Sequence, residues 1–210
     1  YIKADIPSID DLGLPAVYKS IMTKKKGLVF IVGATGTGKS TSLASMLDYR
    51  NSLDTGHILT IEDPIEFMFH HKKCIIGQRE VGLDTLSFEN ALCEAMREAP
   101  DVIMIGEARD RMTVESALRY ADTGHLCLTT LHATNSNQTL DRILNFFPSD
   151  AHNQILMDMS LNLNAILAQR LVSSADGARV VATEVLINTP YISQLIRDGN
   201  FHGIKEIMEK

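Results

Sequence analysis

A glycine-rich stretch, GATGTGKST at residues 33–41, follows directly on the apolar run GLVFIV and constrains this chain more than any other feature. It matches the phosphate-binding pattern G-x-x-x-x-G-K-[ST]. Glycines let successive backbone N–H groups point toward a phosphate, and the helix that follows adds its N-terminal dipole. The residues expected to bind a nucleotide are Gly33, Ala34, Thr35, Gly36, Thr37, Gly38, Lys39, Ser40 and Thr41. In this pattern Lys39 reaches the β- and γ-phosphates, and Ser40 is a ligand of Mg²⁺.

From residue 27 onward, short apolar runs alternate with polar turns and amphipathic stretches. Near-continuous apolar strands are typical of parallel sheets that helices cover on both faces, so we predict an α/β fold with a mostly parallel sheet. The predicted strands are Leu28–Val32, His57–Ile61, Val102–Ile105, Leu126–Leu131 and Val180–Leu186. The predicted helices are a short one in LPAVYKSIM (residues 14–22), then Ser40–Arg50, Phe88–Ala99, Thr113–Ala121 and Ser149–Arg170, with Ser149 as N-cap, and two short helices that Gly199 separates in the tail.

Charge and hydropathy disfavour a nucleic-acid partner and a membrane-spanning segment. The formal net charge is −6, and Lys24–Lys26 is one short basic run. Proteins that bind nucleic acid usually present a basic surface, so a nucleic-acid partner is not expected. No apolar stretch approaches the ~20 residues that a membrane-spanning helix needs, so no transmembrane segment is predicted.

Acidic and histidine side chains follow the other predicted strands. Glu62 and Glu66 lie in the segment EDPIE after the second strand, Glu107 follows VIMIG, and His132 follows LCLTTL. Ligands of parallel α/β sheets bind beyond the carboxyl ends of the strands, which is also where the glycine-rich loop begins. We therefore expect these four side chains to surround the phosphate.

An ATPase requires such a set of residues: one carboxylate for the Mg²⁺ shell, another to orient and deprotonate water, and a polar group near the γ-phosphate. Each acid taken alone is as compatible with a helix N-cap or a solvated loop. Their coincidence at one sheet edge favours a functional role, with ATP and Mg²⁺ as cofactors.

The two histidines of the fifth predicted strand differ in position. His125 and His132 are seven residues apart, about 23 Å along a straight strand, so they cannot contact the same phosphate. The strand-end rule favours His132. For His125, a functional role and a simple polar strand start are both compatible with the sequence.

Taken together, GATGTGKST, ILTIEDPIEF, DVIMIGEARD and TGHLCLTTLHATNS resemble the Walker A motif, Asp box, atypical Walker B motif and His box of the secretion ATPase superfamily. Within it, the chain is most similar to the type IV pilus retraction ATPases of the PilT/PilU family. The segments DRILNFFP and SLNLNAILAQRLV are closest to PilU-like members.

This resemblance implies a RecA-like core that works as a homo-hexamer on the cytoplasmic face of the inner membrane and drives pilus retraction, hence twitching motility. It implies that Glu66 acts on the attacking water with Glu62 beside it, that Glu107 is the Walker B glutamate and holds Mg²⁺ through water, and that His132 is the His-box histidine. An inner-membrane pilus platform protein is the implied partner.

The resemblance also implies a domain division. Residues 1–26 correspond to the linker that follows a PAS-like N-terminal domain, and residues 27–210 to the ATPase domain, with a helical segment from about residue 150 to 210. The segment YISQLIRD keeps only the second half of the AIRNLIRE motif of PilT-type proteins. We therefore expect a PilU-like auxiliary that acts beside a PilT-type ATPase.

Three other functions stay open on the sequence. A secretion or pilus assembly ATPase of the same superfamily is disfavoured, since such relatives commonly carry a four-cysteine zinc insertion and this chain has three scattered cysteines. A nucleotide-binding regulatory ring subunit with little turnover is a second alternative. A DNA-translocating motor is the third, and the acidic charge balance disfavours it.

Overall fold

A seven-stranded sheet organises the computed structural model, which describes residues 5–174, 177 and 179–209. The strand order is β3-β2-β4-β5-β1-β6-β7, with β6 and β7 antiparallel and all other neighbours parallel. The strands are β1 Gly27–Val32, β2 Gly56–Glu62, β3 Cys74–Glu80, β4 Val102–Ile105, β5 Leu126–Leu131, β6 Leu163–Ser173 and β7 Arg179–Ile187. This confirms the predicted α/β fold with a mostly parallel sheet.

Helices cover both faces of the sheet. They are α1 Val17–Met22, α2 Lys39–Leu53, α3 Phe88–Glu98, α4 Arg111–Asp122, α5 Ser136–Asn145, α6 His152–Asn162, α7 Pro190–Arg197 and α8 Phe201–Met208. One apolar core joins the sheet to α1 and α2, and a second joins its other face to α3–α8. Strands β1, β4 and β5 are buried along their whole length, which explains their uninterrupted apolar sequences.

The five strands predicted from apolar runs are present, within one residue of the expected bounds. Two further strands, β3 and β6, are not predicted by the sequence pattern. β3 is an edge strand with the sequence CIIGQRE, whose second half is polar. Helix α5 was also not predicted.

The predicted helix Ser149–Arg170 is wrong in its second half. A 3₁₀ turn at Ser149–Ala151 leads into α6, which ends at Asn162, and the chain then enters β6. Apolar residues spaced three or four apart continue past this point, but pairing of β6 with β1 fixes it as a strand. Ser149 is not an N-cap, since Pro148 precedes the 3₁₀ turn and no side chain caps it. The segment after residue 150 therefore contributes two strands as well as helices.

The described part of the predicted linker, residues 5–26, packs closely on α2. Tyr18, Ile21 and Met22 are at most 1% exposed. The Ser45 hydroxyl of α2 donates a hydrogen bond to the carbonyl of Pro7 at 2.6 Å, and Arg50 donates one to the carbonyl of Met22 at 3.0 Å. Residues 1–4 of that predicted linker lie outside the described residues.

Within the described ranges, no helix combines the length and the apolar character that crossing a bilayer requires.

Candidate active site

The glycine-rich loop connects the buried end of β1 to the first turn of α2. Gly33 and Gly38 have φ angles of 155° and 89°. A Cβ atom at Gly33 would lie 2.5 Å from the carbonyl oxygen of Gln169 and equally close to Thr37 Oγ1, so only glycine fits this position. The tight turn brings the N-terminus of α2, with its unpaired N–H groups, to the edge of the sheet.

Lys39 is 8% exposed and its ammonium group lies inside this loop. Its Nζ donates to the carbonyls of Gly33 and Ala34, each at 2.9 Å. Burial lowers the pKa of Lys39, and the negative charges of Glu107 and Glu66 partly oppose that shift. A buried cation hydrogen-bonded to carbonyl oxygens is well suited to exchange these contacts for an anionic ligand, because phosphate oxygens bind it more strongly.

A cavity of about 600 Å³ opens at this edge. It lies at the carboxyl ends of β1, β2, β4 and β5, as the strand-end rule predicts. Parallel pairing causes the convergence: Val32 pairs with Leu131 and Ile61 with Ile105, so the residues that follow leave the sheet side by side. The polar lining residues are Thr35, Lys39, Ser40, Thr41, Glu62, Asp63, Glu66, Glu107, Arg109, Thr130, His132 and Arg179.

The structure thus brings the predicted site residues together. Of the glycine-rich loop, Thr35, Gly36, Gly38, Lys39, Ser40 and Thr41 line the cavity. Gly33 and Ala34 lie behind it and supply the two carbonyls that hold Lys39. The Thr37 hydroxyl donates to the carbonyl of Ala34 at 2.9 Å and closes the turn.

Glu66 contacts the phosphate loop directly. Its Oε1 accepts a 2.7 Å hydrogen bond from the Ser40 hydroxyl. Glu66 is exposed to the cavity, so one of its carboxylate oxygens is available to water or ligand while the other is held.

Glu62 has a different environment and is 8% exposed. Its Oε1 accepts hydrogen bonds from the Thr60 hydroxyl at 2.7 Å and from Gln78 Nε2 at 3.3 Å. Burial raises the pKa of Glu62, while these hydrogen bonds and one from the Glu66 backbone N–H oppose the rise. The two carboxylates of the EDPIE segment are therefore unequal: one is buried and the other faces the cavity.

Glu107 is the centre of a charged cluster. Its Oε1 lies 3.1 Å from His132 Nε2, and its Oε2 accepts from Arg109 Nε at 2.7 Å. Arg109 also reaches Asp63 Oδ2 at 3.2 Å. The hydrogen bond to Glu107, and to a smaller extent the negative charge of Asp63, raises the pKa of the Arg109 guanidinium. One arginine thus bridges the ends of β2 and β4 at the cavity.

Other candidates lie away from the cavity. His125 is at the opposite end of β5, where its Nδ1 is 3.1 Å from the carbonyl of Tyr120. Arg111 forms a pair with Glu115 on α4 at 2.7 Å. Arg109, unlike Arg97 and Arg111, lines the cavity.

Sequence reasoning missed part of the lining. Phe67, Phe69 and Phe88 form an apolar wall, and Leu171 and Arg179 reach the cavity from β6 and β7. The two phenylalanines directly after EDPIE could have been found by extending the strand-end rule further along that loop. Arg179 could not, because the sequence does not show that β6 and β7 form a hairpin beside the phosphate loop.

The chain is similar to known proteins of one family. Residues 9–205 match the family described as type II/IV secretion system protein. The chain is 57% identical over 210 residues to the type IV pilus ATPase PilU of Pseudomonas aeruginosa, covering all of this chain and 55% of that protein. It is 45% identical over 197 residues to PilT of the same organism, a type IV pilus retraction ATPase, covering 94% of this chain and 57% of PilT.

Solved structures agree with this similarity. The pilus retraction motor PilT with bound ADP has a TM-score of 0.96 at 46% identity, over all of this chain and 61% of that chain. The ATPase DotB of Legionella pneumophila has a TM-score of 0.92 at 28% identity, over all of this chain and 60% of that one. The chain spans a little more than half the length of the curated relatives described above.

Proposed function

The chain belongs to the type II/IV secretion system protein family and, within it, to the PilT/PilU group, and on that premise we propose that it is the ATPase domain of a pilus retraction motor. The motor hydrolyses ATP, works as a homo-hexamer at the cytoplasmic face of the inner membrane, and acts there on the pilus platform protein. As a PilU-like protein it assists a PilT-type ATPase. Residues 1–26 connect this domain to a PAS-like one.

One observation carries the enzymatic part of the proposal. Two carboxylates on different strand ends converge on the phosphate loop, with Glu66 bonded to Ser40 at 2.7 Å and Glu107 bonded to His132 at 3.1 Å. A phosphate-binding protein without turnover needs the loop but not the converging acids. A carboxylate beside Lys39 that does not serve the metal ion repels an incoming nucleotide, so the placement of Glu66 is explained by chemistry rather than by binding.

The residues present fit ATP and Mg²⁺. The loop provides N–H groups, a lysine hydrogen-bonded to carbonyls and a helix N-terminus, which together bind a polyphosphate. A serine hydroxyl and a carboxylate are hard oxygen donors, as Mg²⁺ requires, and Ser40 and Glu107 would hold it, Glu107 through water. The bound ion would neutralise charge on the phosphates.

The side chains then divide the remaining work. Glu66 orients the attacking water and accepts its proton, because it is the cavity-facing carboxylate and Ser40 fixes its position. Glu62 is buried beside it and accepts a hydrogen bond from the Glu66 backbone N–H, which supports the loop. Arg109 and His132 hold Glu107 from two sides. They also provide positive charge and a hydrogen-bond donor near the γ-phosphate that water attacks.

Imaging labelled pili on living cells tests the biological role. We expect cells that carry Lys39→Ala to extend pili as often as wild-type cells but to retract them less often or more weakly. Cells with Lys24→Ala, at an exposed lysine outside the cavity, should behave as wild type. Loss of pilus extension in the Lys39→Ala strain would contradict retraction and support an assembly ATPase instead.

A further inference from the structure

The cavity-facing Glu66 lies on a segment without helix or strand that we call the acidic loop, residues 63–69 between β2 and β3. Phe67 is a bridge residue, and the rest of this segment lies outside the named strands, so its backbone groups need other partners. Side chains of the edge strand β3 bond three of these groups, the N–H groups of Ile65 and Phe69 and the carbonyl of Phe67.

Gln78 makes three contacts to this region. Its Oε1 accepts from the backbone N–H of Phe69 at 3.0 Å, and its Nε2 donates to the carbonyl of Phe67 at 2.9 Å. The same Nε2 lies 3.3 Å from Glu62 Oε1. One amide thus joins the far end of the acidic loop to the buried carboxylate at its start.

Glu80 holds the other half of the loop. Its Oε2 accepts from the backbone N–H of Ile65 at 3.0 Å. Glu80 is itself fixed, because its backbone N–H donates to Asp84 Oδ2 at 2.8 Å and its carbonyl accepts from the N–H groups of the turn that follows. Glu66 therefore lies between the Ile65 N–H and the Phe67 carbonyl, and β3 side chains form hydrogen bonds with both groups.

The parallel register explains why these two residues reach the loop. Thr60 pairs with Gln78 and Glu62 pairs with Glu80, so all four side chains project from the same face of the β2–β3 pair. Only an amide offers both an acceptor for Phe69 and a donor for Phe67 and Glu62, which makes glutamine the fitting residue at position 78. At position 80 an acceptor alone is sufficient.

We propose that Gln78 and Glu80 are positioning residues that hold the acidic loop so that the Glu66 carboxylate points at the reacting phosphate. Neither residue lines the cavity, so both act through the loop. The proposal rests on the proposed function, because it assigns to β3 the support of the residue that activates water there. A small displacement of a catalytic group lowers turnover far more than it lowers binding.

The test compares full-length wild-type protein with Gln78→Met and Glu80→Met, which keep the side-chain length and remove the hydrogen bonds. Glu80→Gln keeps the acceptor for Ile65 and is the conservative variant. Ile75→Ala is the matched control, since Ile75 lies on β3 and is 68% exposed. For each protein, amide hydrogen exchange of the acidic loop is measured without nucleotide, and kcat and KM for ATP are measured separately.

The expected exchange pattern is residue-specific. Gln78→Met should speed exchange of the Phe69 amide about tenfold or more and leave the Ile65 amide less affected, whereas Glu80→Met should do the reverse. Both variants should lose about 10- to 100-fold in kcat with KM for ATP changed about twofold at most. Glu80→Gln and Ile75→Ala should match the wild type in both measurements.

Unchanged loop exchange in both methionine variants would overturn the proposal, because the contacts would then not hold the loop. Faster exchange with unchanged kcat would also overturn it, since the loop position would then not matter to turnover. A wild-type protein that binds ATP and does not hydrolyse it would contradict the proposed function instead, and the exchange pattern would still decide whether Gln78 and Glu80 fix the loop.

Discussion

The Ser40 hydroxyl donates a 2.7 Å hydrogen bond to the Glu66 carboxylate, across 26 positions of sequence. The contact joins the phosphate loop to the acidic loop. The residue proposed to hold Mg²⁺ and the residue proposed to activate water therefore share one hydrogen bond, and occupancy of the phosphate site changes the surroundings of the carboxylate directly.

Lys39 should decide nucleotide affinity. Replacing it with alanine removes a charge-assisted hydrogen bond to phosphate, worth about 1.5–3 kcal/mol, so ATP should bind about 10- to 150-fold more weakly. Titration with a fluorescent ATP analogue measures this, and Lys24→Ala, at an exposed lysine, is the control. Equal affinities of the Lys39 variant and the wild type would exclude the phosphate loop as the binding site.

The two histidines at opposite ends of β5 form a matched pair for turnover. His132→Gln should lower kcat about 10- to 100-fold, because it removes the imidazole that lies 3.1 Å from Glu107. His125→Gln should leave kcat within about twofold, since the His125 side chain contacts Tyr120 and Thr123 at the end of α4, away from the cavity. Similar losses in the two variants would contradict the placement of the site.

Glu62 should make stability depend on pH. Burial raises the pKa of its carboxyl group, so its protonated form favours the folded state. The resulting stability is full below the ordinary carboxyl pKa and is lost as pH rises through the folded-state value. Glu62→Gln removes this loss, so the melting temperature of the variant relative to the wild type should be higher at about pH 8 than at about pH 4.

Thermal melts at both pH values check this expectation, and each 1 kcal/mol shifts the melting temperature by about 2–4 °C in a domain of this size. Glu89→Gln is the control, because Glu89 is exposed. A difference between the Glu62 variant and the wild type that is constant with pH would show that burial does not perturb this carboxyl group.

The segment before β1 should behave as part of the ATPase domain. Tyr18 is fully buried against α2, and its hydroxyl accepts from Gln169 Nε2 at 3.0 Å. Tyr18→Ala should therefore cost about 3–5 kcal/mol of unfolding free energy, whereas Tyr191→Ala, at a residue that is 61% exposed, should change it by about 0.5 kcal/mol or less. Chemical denaturation measures both, and equal stabilities of the two variants would mean that residues 5–26 only connect domains.

Much of the fold follows from the sequence, because strands buried on both faces are apolar throughout. The runs LVFIV and VIMI predict such strands correctly, and the polar residues just beyond them predict the site. The same rule does not predict the edge strand β3. It is buried less fully, and its residues Gln78 and Glu80 are polar because they serve the acidic loop.

The boundary between α6 and β6 depends on tertiary structure. Leu163 and Ile166 continue the helical spacing of α6, yet they pair with β1 as strand residues. Local spacing cannot distinguish the two, since the deciding partner is more than 130 residues away in sequence. The same limit applies to Arg179, which reaches the cavity only because β7 folds back on β6.

Steady-state ATP hydrolysis by the full-length protein, measured beside ATP affinity, tests the central claim that the converging carboxylates are catalytic. Glu66→Gln and Glu107→Gln should each bind ATP about as tightly as the wild type and lose about 10²- to 10⁴-fold in kcat, while Glu89→Gln should keep both properties. A wild type that binds ATP but turns it over no faster than the two variants would contradict the account, and the chain would then be a nucleotide-binding component of the ring rather than its motor.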